Sequence, residues 1–89
     1  MNTIIISYRL DSEAPYQELR NRIKKYPNWA RLFQDVWIIQ TRHSVRDVRD
    51  DLENAIRGMG EIFVVNITGS AWASYKIDKE MAEWIHENI

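Results

Sequence analysis
The chain has 89 residues, is 45% hydrophobic and carries a formal net charge of −1. That length makes one domain, near the lower limit of what folds without staples, and the absence of cysteine excludes disulfides and thiolate metal sites. Near-neutrality excludes a global attraction to nucleic acid or membrane, no apolar run approaches the ~20 residues of a bilayer span, and no basic-then-apolar leader opens the sequence. The expectation is a soluble cytoplasmic domain spanning residues 1–89.

Residues 3–9 alternate as a strand, with Ile4, Ile6 and Tyr8 on one face and Ile5, Ser7 and Arg9 on the other. Asp11, Ser12 and Pro15 then signal a loop and a helix start. Tyr16, Leu19, Ile23 and Tyr26 recur at steps of three and four, an apolar helical stripe closed by Pro27. Trp29 to Phe33 reads as a short edge strand, turning near Gln34 and Asp35 into Val36–Thr41, which is rich in β-branched and aromatic residues. Ser44 and Asp47 have the spacing of a capping box. The helix behind them shows Val45, Val48, Leu52, Ala55 and Ile56 on one side. Opposite charges at i,i+4 lace its other side, as in Arg46–Asp50, Arg49–Glu53 and Glu53–Arg57. Gly58 and Gly60 end it. EIFVVNIT is a strand apolar on both faces, Gly69 and Ser70 break it, and AWASYKI is extended or irregular. Asp78 caps a last helix that turns Met81, Trp84 and Ile85 inward.

The order is β-α-β-β-α-β with an added C-terminal segment and helix, the pattern of a ferredoxin-like α+β domain with an antiparallel sheet. Two helices cover one sheet face. The other is expected to carry Ile5, Ser7, Arg9, Trp37 and Ile39. Such a face is too apolar to stay wet, so the tail and a second copy, in a homodimer formed through that face or an edge strand, are expected to cover it.

The stretches IISYRL, NWARLFQDVWIIQT, SVRDVRDDL and FVVNITGSAWAS carry a resemblance. With them the chain resembles the small ferredoxin-fold proteins related to the CRISPR-associated adaptation endoribonuclease family and to VapD toxins. It is most similar to a bacterial set labelled "SinR family". The resemblance covers almost the whole chain and implies a defence, mobile-element or toxin–antitoxin setting. In the adaptation family the first strand typically ends Tyr-Asp, the aspartate holding a divalent metal for phosphodiester cleavage. Here Tyr8 is followed by Arg9, and a guanidinium cannot ligate a cation. A catalytic site therefore has only Asp11, with Ser7 and Arg9, as its candidates, and Mg²⁺ or Mn²⁺ is expected only if the chain is a nuclease. No other cofactor is expected.

Arg9 suits a phosphate, or an ion pair across a dimer with Asp35 or Asp11. Arg20, Arg22, Lys24, Lys25 and Arg31 occupy a stretch with no acid, and Trp29 among them offers a stacking platform, so these six residues form the candidate nucleic-acid-binding set. His43 and His86 lack the spacing of metal ligands, and no metal site is expected from them. The leading expectation is a dimeric, non-catalytic module that binds RNA, DNA or a protein partner. The alternatives are a metal-dependent endoribonuclease and a protein-only adaptor.

Overall fold
The computed structural model describes residues 1–89. Seven elements follow one another: β1 (Asn2–Leu10), α1 (Ala14–Ile23), β2 (Asn28–Phe33), β3 (Val36–Thr41), α2 (Val45–Ile56), β4 (Gly60–Asn66) and α3 (Lys79–Asn88). The strands form one antiparallel sheet in the order β2-β3-β1-β4. This is the ferredoxin-like α+β arrangement, with α3 as an addition.

Local sequence explains most boundaries. Pro15 sits in the first turn of α1, where its missing N–H costs nothing. The Ser44 hydroxyl accepts the Asp47 N–H at 3.1 Å and starts α2, and the Asp78 carboxylate does the same for Met81 at 2.9 Å in α3. α2 ends on Arg57 in the left-handed region (φ 51°), followed by Gly58 at φ 78°. Gly60 is required by close approach: a Cβ there would lie 2.6 Å from the Arg9 carbonyl oxygen across the β1–β4 pair.

The core lies between the sheet and α1 with α2. It is built from Ile4, Ile6 and Tyr8 of β1, Trp37 and Ile39 of β3, Leu19 and Ile23 of α1, and Val48, Leu52, Ala55 and Ile56 of α2. Trp37 and Ile39 therefore face the helices, not the opposite face as expected. The cause is register. Ile4 pairs with Ile39 and Ile6 with Trp37, and residues opposite each other share a face. The indole N–H of Trp37 donates to the Tyr8 hydroxyl at 3.0 Å, so this buried polar group is satisfied.

The second face is crossed by three lateral rows. Asn28, Gln40 and Thr3 form the first, Ala30, Ile38, Ile5 and Val65 the second, and Phe33, Val36, Ser7 and Phe63 the third. The tail does contribute, as expected. The Asn88 side chain accepts from Asn28 at 2.9 Å, while its carbonyl accepts from Gln40 and from the Thr3 hydroxyl. These contacts fix the end of α3 over the first row, with Ile85 buried beneath it. The third row stays open at both ends, where Phe33 is 56% and Phe63 66% exposed.

Two expectations for α2 change. Val45 is exposed at the first turn, outside the buried stripe. The i,i+4 ladder is absent: Arg49 pairs with its neighbour Asp50, and Asp51 binds Arg22 of α1 at 2.8 Å. Asp51 also accepts the Tyr26 hydroxyl at 2.9 Å, so one carboxylate ties α1 and the turn after it to α2.

Two outcomes test this architecture. Trp37→Ala should cost about 3–5 kcal/mol, measured by denaturant unfolding, because it empties the centre of the core. Burial, and then the bond to Asp51, raise the Tyr26 hydroxyl pKa in the folded chain. The neutral phenol is thus the stabilising form. Its contribution is complete below the free-tyrosine pKa of about 10 and is lost as pH climbs toward the folded value. Unfolding free energy should fall above about pH 10, and less steeply in Tyr26→Phe.

Candidate nucleic-acid interface
The six basic and aromatic residues singled out in the sequence divide between two surfaces. Arg20 in the last turn of α1 and Lys24 at its C-terminal cap lie one turn apart and face the helix side of β2. There Trp29 and Arg31 stand opposite Ile39 and Trp37 respectively. The Lys24 Nζ lies 5.7 Å from the Trp29 ring centre, the Arg31 guanidinium 5.1 Å from that of Trp37, and the Arg20 guanidinium 4.9 Å from that of Tyr16. Trp29 and Trp37 pack with centroids 5.5 Å apart. The result is a strip along the β2 edge in which cations alternate with aromatic rings. Trp29 is 39% exposed within it.

None of Arg20, Lys24 and Arg31 is in an ion pair. Arg31 is held by two bonds to the Gln34 carbonyl, at 2.8 and 3.1 Å, so its guanidinium is fixed at the β2–β3 turn. Beside it, the Arg20 Nε and the Asp35 Oδ1 are buried without hydrogen-bond partners. Both act on Tyr16, whose hydroxyl pKa is raised first by burial and next by the Asp35 carboxylate, with Arg20 opposing.

Arg22 and Lys25 lie elsewhere. Arg22 bonds both the carboxylate and the carbonyl of Asp51 and lies 4.0 Å from Glu18. With Lys25 it lines a broad depression near the start of α2 whose other charged residues include Arg42, Asp47, Asp50 and Asp51. Three basic side chains there stand among three aspartates, and Asp51 is bonded to Arg22.

At the exit of β1, Arg9 has a partner within the chain. Arg9 pairs with Glu61 of β4 within the same chain, its cross-strand neighbour, and that bond raises the Arg9 pKa. Within the chain, neither Asp35 nor Asp11 forms an ion pair with it. Ser7 sits half-buried between Val36 and Phe63 on the open face. Asp11 is exposed in the loop, where its backbone N–H donates to Met59 at 2.9 Å. No group of three or more His, Cys, Asp or Glu side chains is placed to hold a metal ion, and no helix is long and apolar enough to cross a membrane.

The role of the β2–β3 turn, through Gln34 and Asp35, was not visible in sequence. A carbonyl that aims an arginine leaves no residue-type signal, and Tyr16 meets Asp35 only through the fold. Comparison with protein-family models, with curated proteins and with solved structures returned no match to this chain.

Proposed function
We propose that the chain is a binding module for single-stranded nucleic acid, engaged along the α1–β2 strip. The observation that supports this reading is the state of Arg20, Lys24 and Arg31. All three lie against aromatic rings, and none is in an ion pair. Cations of this kind release counterions when they meet phosphates, and an exposed indole between them accepts a base by stacking in a sequence-tolerant way. The strip lies on the edge of the sheet, so an extended strand can reach it without opening the core. A duplex would present its phosphates to the cations and leave Trp29 without an unstacked base.

The endoribonuclease alternative has less to draw on. Of the acids near the β1 exit, Glu61 is engaged by Arg9, and Asp11, Glu13 and Asp35 form no group of three placed to hold a metal ion.

Binding of a fluorescent oligonucleotide of about 15 nucleotides, titrated over a range of salt, tests the strip. Affinity should fall linearly on a log–log plot, and Lys24→Glu should reduce the slope by roughly 0.7, the value for one single-strand phosphate contact. Trp29→Ala should weaken binding by about 1–3 kcal/mol with the slope unchanged. Lys25→Glu, on the other surface, should behave as wild type. Equal effects of Lys24→Glu and Lys25→Glu, or no salt dependence, would retire the proposal.

A further inference from the structure
The two edges of the sheet are not alike. β2 is interrupted by an irregularity between Arg31 and Phe33, preceded by Pro27, and contacted by α3. These are the devices that stop a sheet edge from pairing with another chain. β4 has none of them. Gly-Glu-Ile-Phe-Val-Val-Asn is regular over its whole length, contains one charged residue, and has no proline, lysine or arginine.

Which backbone groups of β4 are free follows from register. Ile67 donates to Thr3 and Asp11 donates to Met59, at 2.8 and 2.9 Å, in line with the pairing of Ser7 with Phe63. Hydrogen-bonded pairs in an antiparallel ladder alternate with non-bonded ones. The odd-numbered residues Glu61, Phe63 and Val65 therefore turn their N–H and C=O groups toward β1. Gly60, Ile62, Val64 and Asn66 turn theirs outward. None of the backbone bonds made by turns, loops or caps engages residues 60–66.

We propose that β4 pairs antiparallel with β4 of a second copy, centred on Phe63. Phe63 is the midpoint of the strand, so this register uses all seven residues. Gly60 then meets Asn66 of the second copy and Ile62 meets Val64, and these four outward-facing pairs close about eight hydrogen bonds. Phe63 meets its own equivalent at a non-bonded position, where side chains come closest and an aromatic pair is favourable. Glu61 meets Val65, so no like charges are opposed. On the helix side, Arg49 and Glu53 of α2 flank Gly60 and Ile62. A two-fold axis runs the two α2 helices in opposite directions across the seam, which brings Arg49 of one copy toward Glu53 of the other. The paired sheets expose one continuous row from Phe33 to Phe33 with the two Phe63 rings at its centre. The α1–β2 strips lie at the outer edges, away from the seam, so this pairing is independent of nucleic-acid binding.

The test joins sedimentation to amide hydrogen exchange. An edge-only interface is small, so the mass should double between about 1 µM and about 1 mM chain. Over that range the amides of Ile62 and Val64 should become protected, while those of Phe63 and Val65 are protected throughout. Val64→Pro removes an outward donor and no β1–β4 bond, and should shift the midpoint upward by at least about 10-fold. Phe63→Glu, at an exposed site, opposes two carboxylates and should do the same while keeping the wild-type melting temperature. A chain that stays monomeric at about 1 mM overturns the proposal, as does a dimer indifferent to both substitutions. Protection of Ile62 and Val64 in a species of monomer mass would assign the edge to the chain's own Ile67–Asp78 segment, and also overturns it.

Discussion

The pairing of Ile6 with Trp37 organises the domain. Because side chains alternate along a strand, that single register decides which residues of β3 meet the helices. With Trp37 on the helix side, its ring fills the space between α1 and the sheet, and its N–H finds the Tyr8 hydroxyl. A slip by one residue would place Val36 and Ile38 against α1 and expose the indole. The surface strip depends on the same register, since Arg31 packs over Trp37 and Trp29 packs against it at a tilt. Core and candidate interface are thus two sides of one aromatic pair.

The other face is governed by polar chemistry at one end. Asn88 gathers Asn28, Gln40 and Thr3 from three strands, which orients α3 and lets Ile85 bury itself. Cover is complete for Ala30 and Ile38 and fails toward Phe33 and Phe63. The face is therefore partly a second core and partly a surface, and the division falls between adjacent rows of the sheet.

The elements were legible in the sequence because each carried its own period and its own stop: the stripe from Leu19 to Ile23, the caps at Ser44 and Asp78, the break at Gly58. The facing of β3 was not. Val36 and Ile38 are as apolar as Trp37 and Ile39, so alternation shows that two faces exist and not which one meets the helices. The candidate site was legible in part. The acid-free run located Arg20, Lys24 and Arg31, and helical spacing grouped Arg20 with Lys24. Asp51, 29 positions away from Arg22, is what withdraws that arginine from the set. A long-range ion pair leaves no local mark, which is also why the α2 charge ladder was expected and is not formed.

The topology also shapes how the chain reaches this state. β1 is central, yet both its partners come late: Ile4 pairs with Ile39 and with Asn66. Contacts of such sequence separation must close large loops before they return any stabilisation, which slows folding relative to helical domains of this size. During that interval β4 is an apolar segment with both edges unsatisfied, and even in the finished monomer one of them stays bare. Heating or mild denaturant that frees the inner edge of β4 hands neighbouring molecules a template on both sides, and there intermolecular aggregation begins.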